Sequence, residues 1–353
     1  MSKITILTIA DRIACFHSLK PFLFNTTEHY FTFTTSKDFC LTKDTNSILI
    51  MMRQFIKPDK VDLDLMKKLR AKYDKIIFFH DDAGGGIPRL EVLPYVDLFY
   101  SKALFKDREL YKRPMYGKEL YSDYYHTKYG VSDPNWVDRP AVTDIKQLDK
   151  LRLSWNIGIG DYPRDQFRQR AGYMTARYAG IPAVKLFYRH KAQFAPARNS
   201  GQYDIHCRIG LISRPSISYQ RKLILDTVKD DDAFLTGMVP QRQFNREIKN
   251  AKITVSPFGW GELCLRDFEA VQNGSLMLKA DMSHLETWPD VFVPEETYVP
   301  FDWDITNLKE IAHHYLENEA ERQRIVANAF TAYMYALDTM NERFAAIMEE
   351  IVS

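Results

Sequence analysis

Ile253–Lys279 reads ITVSPFGWGELCLRDFEAVQNGSLMLK. Its two ends are short apolar runs of the kind that form buried parallel strands. Between them lies a loop containing Gly259 and Gly261, followed by a stretch of helical spacing that carries Arg266 and Glu269. Gly274 is suited to stop that helix, because glycine takes the left-handed conformation that ends helices at little cost. A loop of small residues ahead of a helix brings backbone N–H groups and the positive helix end up to an anionic or hydroxyl-rich ligand. The segment therefore predicts strand, ligand-facing loop, helix and strand.

The same alternation extends in both directions. Upstream, KITILTI (3–9), SILIMM (47–52), KIIFF (75–79), VDLFY (96–100) and LRLSWNI (151–157) read as strands, and 61–73 as a helix. Residues 105–149 are polar, tyrosine-rich and broken by prolines, and read as an elaborated loop-and-helix segment. Residues 163–180 predict a helix with proline in its first turn and glycine after its end. The basic stretch 185–198 reads as a solvated connector, which sets a boundary near Gly201. Beyond it, 203–212 and 233–236 predict strands, 218–229 and 242–251 helices, and 307–318 and 319–350 long helices. Strand–helix–strand alternation implies α/β architecture with parallel sheets covered by helices.

The chain has 353 residues, enough for two ordinary domains. With 45% hydrophobic and 27% charged residues it is a folding sequence, not a disordered one. The net charge of +2, from 48 basic and 46 acidic residues, argues against bulk nucleic-acid binding. Four cysteines, Cys15, Cys40, Cys207 and Cys264, form no Cys-x-x-Cys pair, so reduced buried thiols are expected. MSKITILTIADR enters a strand directly instead of a signal peptide, and no apolar run reaches the roughly 18 to 20 residues of a membrane span. These features set a cytoplasmic protein as the expectation. Aromatic residues make up 13% of the chain, which suits carbohydrate stacking, although filling cores and sheet faces accounts for most of them.

RDFEAVQNGSLML (266–278) resembles the R-x-x-E-A-x-x-x-G-x-x-x-(V/L/I) signature of glycosyltransferases with two Rossmann-like domains, the GT-B architecture. VFVPEETYVPFDWDITNLKEIAHHYLENEAERQRIVANA (291–329) is similar to the terminal helices of the same enzymes, with exostosin-like and spore-coat-type bacterial transferases of glycosyltransferase family 1 nearest by eye. The resemblance implies a GT-B fold in three parts. Residues 1–200 would form an acceptor-binding domain and 201–330 a nucleotide-sugar-binding domain, while 331–353 would form a helix packed back on the first domain.

On that resemblance the donor side would use Ser256, Gly259 and Glu262 of the loop, with Arg266 and Glu269 of the helix after it. Arg266 offers a guanidinium fork to phosphate oxygens, and Glu269, one turn on, can accept hydrogen bonds from ribose hydroxyls. Alternatively the two form a surface salt bridge at i, i+3. Arg214 and Arg221 are further phosphate candidates that would neutralise charge on the leaving group. Retaining members of the family carry two glutamates separated by seven residues. Here the position eight before Glu269 is Gly261, with Glu262 beside it, which leaves retention or inversion open.

The acceptor side centres on IIFFHDDAGGG (76–86), where Asp81 and Asp82 follow a buried strand. Open α/β sheets bind ligands at the carboxyl ends of their strands. Either aspartate could be the general base that takes a proton from an acceptor hydroxyl, or a nucleophile in a double displacement. Asp81 and Asp82 could equally cap a turn. His80, Lys102 and Asn156 are weaker cleft candidates at strand ends, and the tyrosines of 111–129 could form an acceptor platform, a lid or a dimer surface. No metal or other cofactor is expected, since the resemblance implies that arginines and helix dipoles do the work of a cation.

The function expected is glycosyl transfer from a nucleotide sugar to a glycan or a lipid-linked glycan, the latter at the inner face of the membrane. A sugar-nucleotide epimerase of the same architecture and a non-catalytic nucleotide-sugar-binding protein are the alternatives, because a fold alone does not fix a function.

Overall fold

A computed structural model describes residues 2–9, 13–25, 29–52, 62–80, 89–136, 138–160, 166–188 and 199–353 of the protein. The first half begins with β1 (Lys3–Leu7), α1 (Ile13–Phe24), β2 (Tyr30–Thr34), α2 (Lys37–Thr42) and β3 (Ile48–Met52). It continues through α3 (Leu63–Arg70), β4 (Lys75–His80), β5 (Leu98–Ser101), β6 (Ala103–Phe105), α4 (Leu120–Tyr129), β7 (Leu151–Leu153) and α5 (Gln166–Ala179). Six of these strands make one parallel sheet in the order β2-β1-β3-β4-β5-β7.

The period of two along each strand decides which face each side chain covers. Ile4, Ile6, Ile50, Met52, Ile77 and Phe79 join one core cluster with Leu19, Phe22 and Leu23 of α1. Leu7, Leu49, Met51, Ile76 and Phe78 join the other, against Leu65, Met66 and Leu69 of α3. Burial on both faces is why these strands read as unbroken apolar runs. β2 lies at the sheet edge, half-exposed along its length, so its YFTFT pattern does not stand out from the sequence.

The second half comprises β8 (Tyr203–His206), α6 (Pro215–Val228), β9 (Phe234–Leu235), α7 (Gln241–Ile248), β10 (Ala251–Ser256), α8 (Leu265–Gln272) and β11 (Leu276–Ala280). It ends with β12 (Leu285–Thr287), β13 (Val299–Phe301), α9 (Leu308–Glu317), α10 (Glu319–Asp338) and α11 (Met340–Val352). Five strands form a second parallel sheet, β13-β11-β10-β8-β9. Counted along the chain, both sheets begin with the order 2-1-3-4-5, so the second half repeats the topology of the first.

Four expectations need correction. The strand expected over 151–157 ends at Leu153, and Asn156 caps a 3₁₀ turn. The strand expected over 203–212 ends at His206, because Cys207 onward turns into a loop. The single helix expected over 319–350 is interrupted at Thr339, which caps α10 and opens α11. α11 then lies on the first sheet: Phe344 meets Phe22 edge-on at 5.2 Å, and Tyr100 donates its hydroxyl to Glu350 at 2.5 Å. The tyrosine-rich segment is neither an open platform nor a lid. It is a strap from the first sheet to the second.

In that strap Tyr121 stacks on Phe258 at 4.6 Å and donates to the Gly259 carbonyl at 3.0 Å. Tyr125 donates to the Trp303 carbonyl, and Tyr124 and Tyr129 donate to the Asp304 carboxylate, each at 2.8 Å. Rings with an apolar body and a polar tip are buried where the tip finds an acceptor, and here the acceptors belong to the second sheet. β6 and β12 add an antiparallel pair, Ala103 opposite Thr287, between the same two halves. Among the described residues no helix is long and apolar enough to cross a membrane.

Candidate functional site

In the second sheet the strand order reverses between β8 and β10, and open α/β sheets bind ligands in the crevice outside the carboxyl ends at such a point. Three stretches border it. The loop after β8 supplies Arg208 and Gly210, the loop after β10 supplies Phe258 to Gly261, and α8 carries Arg266 and Glu269. Arg221 enters from α6.

Local chemistry fixes the β10 loop. The Gly259 amide donates to the Gly261 carbonyl at 3.0 Å, and a side chain on Gly259 would press on Cys264 at 3.2 Å. Asp267, at the third position of α8, accepts from the Cys264 amide at 2.8 Å and completes a capping box. Its other oxygen accepts from Ser256 Oγ at 2.5 Å and from Lys279 Nζ at 2.9 Å, with both charged side chains fully buried. Ser256 thus supports the loop from beneath. Trp260, held between two glycines, projects into solvent.

Arg221 and Arg266 stand apart from the other arginines here. Arg221 donates to the Gly210 carbonyl at 2.8 Å and the Phe258 carbonyl at 3.2 Å. Arg266 donates to the Arg208 carbonyl at 2.9 Å and lies over the Phe244 ring at 5.6 Å. Arg221 Nε and Arg266 Nη1 are buried with no acceptor, and among the described residues neither guanidinium pairs with a carboxylate. Burial, and then the charge of Arg266, lower the Arg221 pKa. His206, at the end of β8, is pushed down to about 3 by burial and then by Arg266, so it is neutral at ordinary pH. By contrast Arg208 is neutralised by a two-point pair with Glu247, at 2.8 and 2.9 Å.

The remaining candidates sit elsewhere. Arg214 is held by Glu119, by the Tyr121 hydroxyl at 2.8 Å and by Asp133 at 3.4 Å, so it binds the strap to α6. Glu262 is wholly buried and accepts from the Leu120 amide at 3.4 Å, at the positive end of α4. Glu269 is partly exposed on α8, and Arg266 does not pair with it. His80 is buried, with its ring stacked against Phe99 at 6.0 Å, and Lys102 is buried, its carbonyl accepting from Thr287 at 2.7 Å. Asn156 is fully engaged. Its amide donates to Thr287 Oγ1 and the Pro289 carbonyl at 2.8 Å each, and its oxygen accepts from the Gly158 amide at 2.7 Å. Asp81 and Asp82 lie outside the described residues, directly after His80 at the end of β4.

Sequence reasoning missed Glu119, Asp133 and the Asp267–Lys279 pair. A lysine at the end of the fully apolar run Leu276–Leu278 is the one signal that was available, since lysine is rarely buried without a partner. Nothing local marks Glu119 or Asp133 as tied to the second half, since Arg214 and Ser216, which they hold there, are more than 80 residues away along the chain.

Two doubly wound parallel sheets with a terminal helix returned to the first define the GT-B architecture. Residues 189–349 match the family model described as glycosyl transferase-like. No curated protein matches the sequence. Among solved structures, Anabaena HepE in complex with UDP-glucose aligns over 99% of this chain and 100% of its own, at 7% identity and a TM-score of 0.46. A glycosyltransferase from Rickettsia africae aligns over 100% and 99%, at 9% identity and a TM-score of 0.45. An alpha-glucosyltransferase in complex with UDP aligns over 100% of both chains, at 12% identity and a TM-score of 0.45.

Proposed function

We propose that the protein transfers a sugar from a nucleotide-sugar donor to a hydroxyl of a glycan or lipid-linked glycan. The observation that carries this reading is the pair Arg221 and Arg266, two guanidiniums fixed by backbone carbonyls and, among the described residues, left without carboxylates at the strand-order switch point. Two like charges held together without counter-ions favour a ligand that brings its own negative charge, and a diphosphate does so. Glu269 would take the ribose hydroxyls, and Trp260 offers a face for stacking.

In the reaction, Asp81 or Asp82 acts as base or nucleophile. As base it takes the acceptor hydroxyl proton while the acceptor oxygen bonds the anomeric carbon. The bond from that carbon to the phosphate oxygen breaks, and the electron pair leaves with the nucleotide. Arg221 and Arg266 meet the charge that develops there, as a metal would otherwise do. A thermal-shift panel of UDP, GDP, TDP and CMP with their sugar conjugates tests the reading. At least one species should raise the melting temperature and be consumed when an acceptor is added. If all leave it unmoved, the assignment fails.

A further inference from the structure

Away from the crevice, a cavity of about 180 Å³ lies between residues 90–94, 110–115 and 139–147. The 3₁₀ turns that flank it, Leu90–Tyr95 and Ile145–Lys150, lead into the amino ends of β5 and β7. It is thus at the opposite end of the strands from the carboxyl-end loops. Leu90, Leu93, Leu110, Met115 and Val142 give it an apolar lining. Glu91, Arg113, Arg139, Thr143, Asp144 and Gln147 add polar groups to it, and two of these carry buried atoms without a partner.

Arg139 is only 5% exposed, and its main chain is fixed by a two-way bridge to Met115 at 2.9 and 3.0 Å. Among the described residues its side chain meets no acceptor and no carboxylate, and its Nε is buried without a partner. The other arginine of the lining, Arg113, is paired with Asp123 at 3.1 Å. Gln147 contributes a second orphan. Its amide nitrogen donates to Asp144 at 3.0 Å, while its buried Oε1 accepts from nothing. Burying an unpaired guanidinium and an unpaired amide oxygen is costly, and proteins retain such groups where a ligand completes them.

We propose that this cavity binds a small organic carboxylate with an apolar body and a hydroxyl or ammonium donor near the carboxylate. Arg139 takes the carboxylate through its fork, Gln147 Oε1 accepts from the donor, and the leucines, Met115 and Val142 cover the body. The cavity shares no lining residue with the loops after β8 and β10 that border the donor crevice. The site is therefore distinct from the donor crevice, and its occupancy does not depend on the transfer reaction.

Thermal shift of the full chain tests this with 2-hydroxy-4-methylpentanoate, L-leucine, 4-methylpentanoate and inorganic phosphate as probes. The hydroxy acid or leucine should produce a saturable rise of about 2–4 °C, larger than that of the plain carboxylate. Arg139→Met should abolish the response while leaving the unliganded melting temperature level or higher, because it removes an uncompensated buried charge. Val142→Phe, which fills the cavity and keeps Arg139, should abolish it as well. The proposal is overturned if no organic probe shifts the wild type, if phosphate does so equally, or if either variant keeps the response. A plain carboxylate that binds as tightly as the hydroxy acid overturns the role of Gln147.

Discussion

Asp267 on α8 and Lys279 on β11 form an ion pair at 2.9 Å with both side chains wholly excluded from solvent. The pair sits beneath the glycine loop: Asp267 also holds Ser256 and the Cys264 amide, and the Lys279 ammonium lies 5.5 Å from the Phe258 ring centroid. Breaking a buried pair from one side leaves a bare charge. We predict that Asp267→Ala destabilises the protein by about 3–5 kcal/mol in urea unfolding. The double variant Asp267→Ala, Lys279→Met should recover part of that loss, and an additive double variant would refute the coupling.

Arg221→Ala and Arg266→Ala should each weaken nucleoside diphosphate binding about 10- to 100-fold, the range of a charge-assisted hydrogen bond. Among the described residues neither breaks an ion pair, so the unliganded melting temperature should fall only by the loss of hydrogen bonds to the Gly210, Phe258 and Arg208 carbonyls. Arg266→Lys should restore little, since an ammonium cannot reproduce the fork. Calorimetric titration with the nucleotide selected by the panel decides this, and full affinity in both alanine variants would remove the anion site.

Glu119 provides a pH dependence. Burial raises its carboxyl from the ordinary 4.5 to about 7, with Arg214 opposing and Glu262 adding to the rise. Between those values the folded protein holds a proton that the unfolded chain has released. The stability from Glu119 is therefore complete below about pH 4.5 and is lost as pH rises through about 7, a change on the order of 3 kcal/mol. Urea midpoints at pH 5 and pH 8 should differ less in Glu119→Gln than in the wild type. An equal pH dependence in the two proteins would exclude Glu119 as its source.

Gly158 is packed so closely that a Cβ there would lie 2.4 Å from Phe268 Cε1 and 2.9 Å from Asn156 Oδ1. Its carbonyl also accepts from Tyr333 of α10 at 2.6 Å. Gly158→Ala must displace the Phe268 ring, and Phe268 belongs to the helix that carries Arg266 and Glu269. We expect a stability loss of about 1–3 kcal/mol together with weaker nucleotide binding. Unchanged affinity alongside reduced stability would show that α8 absorbs the strain without moving its polar face.

The segment from β10 to β11 was legible because local signals agree across it. Ala251–Ser256 and Leu276–Ala280 are buried on both faces, and Gly274 adopts φ +64° where the helix stops. The strap was not legible, because Tyr121, Tyr125 and Glu119 are defined by partners in the other half of the chain. The isolation of Arg221 and Arg266 was equally invisible. A sequence shows arginines, but only the fold shows which of them lack a carboxylate.

α11 places Phe344, Ile347, Met348 and Ile351 in the same core cluster as Ile4, Ile77 and Phe79. The first sheet is therefore synthesised first and finished last. While the ribosome is still making the second sheet, one face of the first has no α11 to lie against, a state in which partly folded chains associate through exposed apolar surface. Any nascent chain of this protein shorter than about Phe344 should thus be a client of chaperones, however well its second sheet has formed.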